Sequence, residues 1–319
     1  MSKILITGGA GFVGYHLAIL LSTSKNAVVI VDKKIPTDPE FTKLVSKENI
    51  QIIRADLTKK NSWIKIGSDF DQIYHLASIN GFKQFNEIPY EVLRVGILST
   101  INLLEWLRDI NNKPRAKILF TSSNETYIGA QKNIKIPTPE EVPLVIADTY
   151  NPRWSYAGQK IINELLIINF CKTYNFRYTI VRPHNLYGPR AGGMIPKMIE
   201  KIVKRIDPFP LISPDENRSS CYIDDAVNAL ITAMVSKKTD GKTYNIGSDT
   251  EKTVGEISKN LFDLAKWQPK VLDIIKSADD SNLHCLPDIS KLKNDTGWKP
   301  KTNLETGLKK TLEWYINQQ

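Results

Sequence analysis

The sequence predicts an α/β fold, a doubly wound parallel sheet followed by a smaller C-terminal lobe. Three observations predict it. Short apolar runs alternate with longer segments of helical period from the first residues onward. The runs are continuously apolar, as in strands buried on both faces. A glycine-rich turn, Gly8 to Gly14, joins the first run to the first helical segment.

Taken in order, Ile4–Ile6 is a strand, Gly8 to Gly14 a loop and Tyr15–Leu21 a helix. Ala27–Val31 is the second strand, closed by Asp32. Further strands are expected at Ile50–Ile53, Gln72–His75, Lys117–Thr121, Tyr178–Val181 and Thr243–Ile246. Helices are expected at Tyr90–Asp109, Tyr156–Tyr174, Pro196–Lys204, Ile223–Val235, Thr253–Ala265 and Leu304–Ile316. After Pro183 the alternation gives way to loops rich in Pro, Gly and Asn. The expected domains are therefore 1–182, with 221–247 returning to it, and a lobe mainly of 183–319.

At 319 residues and 41% apolar content, the chain has enough material for a sizeable core. Its net charge of +9 suits an anionic ligand. The lysines are scattered rather than clustered, so no nucleic-acid partner is expected. Cys171, Cys221 and Cys285 form no CxxC pair and are odd in number, which argues against a disulfide framework or a metal site. That usage, with no signal peptide and no apolar run of membrane-spanning length, predicts a cytoplasmic protein without a membrane partner. The segments around Ile97–Leu107 and Ile161–Phe170 are apolar on more than one helix face, which predicts a homodimer through a helix bundle.

Thr7 to Gly14 places glycines at 8, 11 and 14. Gly8 permits the tight turn off the strand, Gly11 lets backbone approach a pyrophosphate, and Gly14 lets the helix pack close to the sheet. The helix N-terminus then offers free N–H groups to the phosphates. With Asp32 ending the next strand, this is the Rossmann-type dinucleotide arrangement. A carboxylate at Asp32 accepts from ribose hydroxyls and repels a 2′-phosphate, which favours NAD. Lys33 and Lys34 keep NADP as an alternative. Asp56 and Leu57, after the third strand, are candidates for the adenine amino group and ring.

Tyr156 and Lys160 are one helical turn apart and point the same way. A tyrosine is a poor base at neutral pH unless a cation stabilises its phenolate. Lys160 supplies that cation, and Tyr156 can then take the proton of an alcohol as hydride leaves its carbon.

The glycine loop, Ser122-Ser123 after a strand and Tyr156-Ala157-Gly158-Gln159-Lys160 together resemble the extended short-chain dehydrogenase/reductases, in particular the NAD-dependent nucleotide-sugar epimerase/dehydratase family. The resemblance extends through His75-Leu76-Ala77-Ser78, Arg153-Trp154-Ser155-Tyr156, Arg182 to Arg190, Tyr222-Ile223-Asp224-Asp225 and Gly297-Trp298-Lys299-Pro300. It implies cofactor contacts at Phe12, Val13, Leu76 and Ala77, besides the glycines, Tyr156 and Lys160. It also implies a nucleotide-diphosphate sugar as partner, bound by Ser123 and, in the C-terminal, substrate-binding lobe, by Asn185 and Arg218, with Arg190 a candidate for a further diphosphate contact. Ser123 would hold the sugar hydroxyl being oxidised, usually at C4. The ketone so formed opens epimerisation, dehydration or decarboxylation.

Glu125 stands where dehydratases and decarboxylases carry an acid and simple 4-epimerases a small residue, so it is a candidate C5 base. Asn124 cannot donate a proton as an acid would. Where many relatives have an arginine before a Pro-Asp pair, this chain has His284-Cys285-Leu286. Two alternatives remain open: a keto-sugar reductase that consumes NAD(P)H, and a non-catalytic dinucleotide-sensing protein. The second would usually lack the Tyr/Lys pair. His75 is expected to be a buried, hydrogen-bonded strand residue.

Overall fold

Strand β1 (Lys3–Thr7) opens the computed structural model, which describes residues 2–111, 116–276 and 286–318. Then follow α1 (Phe12–Leu21), β2 (Ala27–Asp32), α2 (Pro39–Val45), β3 (Ile50–Arg54), α3 (Lys60–Ile64) and β4 (Gln72–His75). Next come α4 (Phe82–Glu87), α5 (Pro89–Trp106), β5 (Lys117–Thr121), α6 (Trp154–Tyr174) and β6 (Arg177–Pro183). The remainder comprises β7 (Leu186–Tyr187), α7 (Met194–Val203), β8 (Phe209–Ile212), β9 (Asn217–Arg218), β10 (Cys221–Tyr222) and α8 (Ile223–Val235). It ends with β11 (Lys242–Ile246), β12 (Lys252–Thr253), α9 (Val254–Leu264), β13 (Leu272–Ile275), α10 (Ser290–Thr296) and α11 (Leu304–Ile316).

The large sheet has the order β11-β6-β5-β4-β1-β2-β3. β1 pairs in parallel with both β2 and β4, so the strand order reverses between β1 and β4. That reversal opens a crevice at the C-terminal strand ends, where open α/β sheets bind ligands. This is the Rossmann-type sheet the sequence predicts.

The described residues group into two compact units. The first holds 1–130, 143–182 and 227–244, and the second holds 131–142, 183–226 and 245–319. In the first, Trp63 and Trp106 lie 5.4 Å apart and Phe70 lies 5.8 Å from Trp106, over buried Leu5, Ile73 and Ile118. Each such large side chain contributes roughly 1.5–3 kcal/mol on burial. The indole N–H of Trp63 donates to Leu57 O and that of Trp106 to Gly67 O, so neither ring strands a polar group.

In the second unit α7, α9 and α11 pack on one another. Helix α9 starts with a reciprocal cap between Thr253 and Glu256. The indole of Trp298 donates to Asp225 O at 3.2 Å, and the Asp225 carboxylate accepts from Thr302 N, which ties the tail to the start of α8. No described helix is long and apolar enough to cross a membrane.

The structure departs from the sequence expectations at several elements. Helices α2, α3 and α4 are too short, at 7, 5 and 6 residues, to set up a helical period. The helix expected over Tyr90–Asp109 is α-helical only to Trp106 and then widens into a π turn over Leu107–Asn111. Asn111 holds that turn by exchanging hydrogen bonds with both backbone groups of Phe70. Residues 131–142 belong with the second unit although their sequence neighbours lie in the first.

Lys117 is a buried staple of the first unit. Its ammonium donates to Ala233 O, Ser236 O and the Thr239 hydroxyl at 2.8–2.9 Å and pairs with Asp240 at 2.7 Å. It thus satisfies carbonyls that the end of α8 leaves open. Removing one partner of a buried ionic cluster leaves the rest unsatisfied. Lys117→Ala is expected to cost about 3 kcal/mol in urea unfolding, a scale typical of such breaks.

Candidate active site

The glycine loop sits where β1 meets α1 and is shaped by close approach. A Cβ on Gly8, whose φ is +68°, would lie 2.8 Å from Ala77 Cα, just beyond β4. A Cβ on Gly14 would lie 2.5 Å from Gly9 Cα, so α1 presses directly on its own loop. Gly11, at the N-cap, carries no side-chain cap, and the first turn of α1 has no acidic residue. The helix therefore presents uncapped N–H groups with no acidic residue in its own first turn, as a pyrophosphate requires. Phe12 and Val13 are half-buried in that first turn.

Asp32 accepts from Ala10 N at 3.2 Å and Lys34 N at 3.1 Å, which fixes its carboxylate beside the loop. Burial pushes its acid strength down, with those backbone N–H groups opposing. Lys33 pairs with Asp56 at 3.0 Å. Burial works against the Asp56 anion, but the Thr58 hydroxyl and Lys33 outweigh it and hold the carboxyl at about 2. Leu57 is buried in the core of the first unit. Leu76 N donates to Thr7 O, and Ala77 N to the Thr7 hydroxyl, so the end of β4 is tied to the end of β1.

Tyr156 and Lys160 lie side by side on α6, 6% and 3% exposed. The Lys160 ammonium donates to Thr121 O at 2.7 Å and lies 5.6 Å from the centre of the Tyr156 ring. Burial pushes the Lys160 amine from 10.5 down to about 7, with Glu164 opposing. Burial also pushes the Tyr156 phenol well above its ordinary range, against a hydrogen bond with Ser123, while the negative charge of Glu125 adds to the rise. Ser123 accepts from Glu125 N at 3.2 Å, so one turn after β5 presents both Ser123 and Glu125 toward Tyr156. The arrangement can hold a hydroxyl beside a phenol whose proton is movable once further positive charge arrives.

His75 is 1% exposed and bonded to the hydroxyls of Thr7 at 2.7 Å and Thr100 at 3.1 Å. Burial first, and then the Lys160 charge, press it down to about 3, so it stays neutral. It is the buried structural histidine the sequence suggests.

Within the second unit, Asn185, Tyr187, Gly193, Arg218 and Ser220 line one concave site. Asn185 donates to Ser219 O at 3.0 Å. Arg218 pairs with Glu216 and donates to Asn217 O at 3.1 Å. Arg190, half-buried with φ +67°, is not among the residues lining that site. His284 and Cys285 lie outside the described residues.

Three neighbours of Tyr156 escape sequence reading. Phe85 stacks on its ring at 4.5 Å and 17°. Arg153, one turn before it, pairs with Glu125 at 3.8 Å. Gln159 donates to the Ser78 hydroxyl at 3.1 Å, joining α6 to the segment after β4.

Residues 4–247 match the profile of the NAD dependent epimerase/dehydratase family. The chain belongs to that family. It is 31% identical to a UDP-N-acetyl-alpha-D-glucosaminuronate decarboxylase of Bacillus cytotoxicus, over 98% of this chain and 97% of that one. It is 28% identical to the dTDP-glucose 4,6-dehydratase of Escherichia coli, over 99% and 94%. Among solved structures, a UDP-glucose 4-epimerase of Thermotoga maritima with UDP-glucose superposes with a TM-score of 0.86 at 26% identity, covering 99% of each chain. This family member is an enzyme, and its cofactor is NAD. The uncapped α1 terminus, the glycine cradle and the fixed Asp32 carboxylate fit that dinucleotide.

The Lys160 shift has a consequence for stability. Between pH 7 and 10.5 the unfolded chain binds the Lys160 proton and the folded one does not. Lys160 therefore makes stability rise with pH across that window, and its penalty is complete below about 7. Lys160→Met is expected to flatten this rise, measured as urea midpoints at stepped pH. An unchanged slope would mean that Lys160 is not the group responsible.

Proposed function

We propose that this enzyme oxidises C4 of a nucleoside-diphosphate sugar and then rearranges the ketone before returning the hydride. The observation that carries it is the buried Ser123–Tyr156–Lys160 cluster, with Glu125 on the turn beside it. Ser123 orients the C4 hydroxyl. Tyr156 takes its proton, and Lys160 stabilises the phenolate that receives it. NAD, when bound, supplies the hydride acceptor and the added positive charge that brings the phenol into range. Asn185 and Arg218 hold the diphosphate, whose oxygens suit the guanidinium fork. The contacts assigned to Phe12, Val13, Leu57, Leu76 and Ala77 belong to this reading, as does Arg190 as a further phosphate ligand.

For the second half of the reaction we favour loss of a C5 carboxylate. A C4 ketone makes that group a β-keto acid, so the electrons of the breaking bond flow into the carbonyl and carbon dioxide leaves. A proton must then return to C5, and Glu125 lies beside Tyr156 to handle it. The whole-length likeness to nucleotide-uronate decarboxylases supports this choice.

The proposal includes a homodimer. The outer face of α5 and α6 keeps Ile97, Leu98, Ile161 and Ile162 only half-buried and Leu165 57% exposed. A second copy of the same pair would cover that stripe. It also places the enzyme in the cytoplasm, where the buried free thiols of Cys171 and Cys221 stay reduced.

NMR of products from UDP-, GDP-, CDP- and dTDP-linked sugars and uronates tests the reaction. A uronate should release carbon dioxide with no net cofactor consumption. Intact uronate with an inverted C4 would replace decarboxylation by epimerisation, and stoichiometric NADH use would replace both by a reductase. Tyr156→Phe should lower kcat by about 10²–10⁴-fold, the usual worth of a positioned base. Glu125→Gln should still reduce NAD on adding substrate but stall afterwards, and a complete reaction would remove Glu125 from the mechanism. Sedimentation at micromolar concentration should give a dimer, and a monomer would refute the helix-bundle contact.

A further inference from the structure

Three consecutive residues at the end of β5 each hold one of three successive turns of α6. Thr121 O accepts from the Lys160 ammonium at 2.7 Å. The Ser122 hydroxyl donates to the Glu164 carboxylate at 2.5 Å. The Ser123 side chain, next along, acts on the Tyr156 phenol and favours its anion. Tyr156, Lys160 and Glu164 are spaced four apart, so they stand in line on one helix face. The first two already have a place in the proposed chemistry, and Glu164 does not.

Glu164 is 4% exposed, and an unneeded buried carboxylate would be costly. It is instead strongly held. Arg182 on β6 donates to it through Nε at 2.9 Å and Nη2 at 2.6 Å, the two-point pairing of a guanidinium fork. Arg182 is itself fixed by Tyr127, to whose hydroxyl it donates at 2.9 Å and over whose ring it lies at 4.9 Å. The carboxylate thus cannot swing away from the lysine one turn before it.

We propose that Glu164 is a positioning residue, whose clamped carboxylate keeps the buried Lys160 amine cationic and fixed beside Tyr156. The inference rests on the reading that Tyr156 and Lys160 carry the chemistry. The charged and titratable groups around Lys160 leave this task to Glu164. Tyr156, on its own helix, must itself be served. His75, facing from β4, is held neutral. Arg182, facing from β6, is cationic and spends its fork on Glu164. Glu125, on the turn after β5, acts on Tyr156 and pairs with Arg153. Burial drives the Lys160 proton off, and the Glu164 charge is the effect that opposes it. Ser122 and Arg182 act through Glu164 by holding it in place.

The test follows the Lys160 protonation directly. In the NAD-loaded enzyme with ¹³Cε-labelled lysine, the signal lost in Lys160→Met identifies the residue. Its midpoint should lie far below those of surface lysines. Glu164→Gln should lower that midpoint by about one pH unit, a tenfold change in the protonation constant, as loss of one nearby opposite charge does. It should also lower kcat at neutral pH while leaving KM for the nucleotide sugar unchanged. Glu164→Gln leaves Arg182 buried and alone, so the double variant Glu164→Gln/Arg182→Met provides a version without a stranded charge. It should show a downward shift smaller than that of Glu164→Gln, because the opposing Arg182 charge goes as well, and Glu164→Asp should restore the midpoint. A folded double variant with the wild-type Lys160 midpoint would overturn the proposal and leave Glu164 as the mate of Arg182 only. Full turnover by Tyr156→Phe would instead overturn the functional reading, and the NMR midpoint would still decide the role of Glu164.

Discussion

An ammonium group buried to 3% exposure has lost most of its hydration, and in a dry site the neutral amine is the easier form. Lys160 lives with that conflict, and much of the first unit is arranged around it. The amine is held by one carbonyl, Thr121 O, which supplies a dipole but no full charge. The full negative charge that opposes its loss of a proton comes from Glu164, one turn away. The result is an amine near neutral pH rather than near 10.5, poised so that small changes in local charge move it. Proton transfer needs such balance. A firmly paired lysine would have its charge cancelled, and a fully desolvated one would have none to offer.

The dinucleotide side of the site solves a different problem, that of bringing backbone near phosphate. No side chain reaches out to do this. Space is cleared instead, at Gly8 against Ala77 and at Gly14 against Gly9. The N–H groups at the start of α1 are left without a capping side chain. Asp32 is placed by backbone N–H groups of the loop and of its own following turn. Its position is therefore set by the same chain geometry that shapes the cradle. Lys33, which a sequence reader would offer to a 2′-phosphate, is turned to Asp56. That pairing adds to the preference for NAD that the Asp32 carboxylate already expresses.

These features differ in how far the sequence reveals them. The glycine loop, Asp32 and the Tyr/Lys pair are legible because each rests on local geometry, a turn, a strand end or a single helical turn. The parallel strands are legible because burial on both faces leaves a continuous apolar run. Phe85 over Tyr156 and Arg153 beside Glu125 come from pieces of chain distant in sequence, and no spacing encodes them. The passage of residues 131–142 into the second unit is hidden for the same reason. It is fixed there by Thr138, which pairs backbone with Leu286 and Asp288, and by Glu140, which accepts from Asn245 N. The π turn after α5 depends on Asn111 meeting Phe70, again a contact rather than a pattern.

Helix α6 shows most clearly why pattern and function diverge. In its N-terminal half the buried face carries Tyr156, Gln159, Lys160, Asn163 and Glu164, all polar or ionisable. Ile161, Ile162 and Leu165 are left half-buried or exposed. Ordinary amphipathicity is thus reversed there, and it returns one turn later, where Ile167 and Cys171 enter the core. The reversal explains why the sequence looks apolar on more than one face. It also sets two demands at once. The ionisable groups of the polar inner face must be satisfied within the chain, which Thr121 O does for Lys160 and the Ser122 hydroxyl and the Arg182 fork do for Glu164. The apolar outer face leaves Leu165 exposed, and it is this stripe that the proposed homodimer would cover. The chemistry at the inner face and the proposed pairing at the outer face are then two consequences of one inverted stretch of helix.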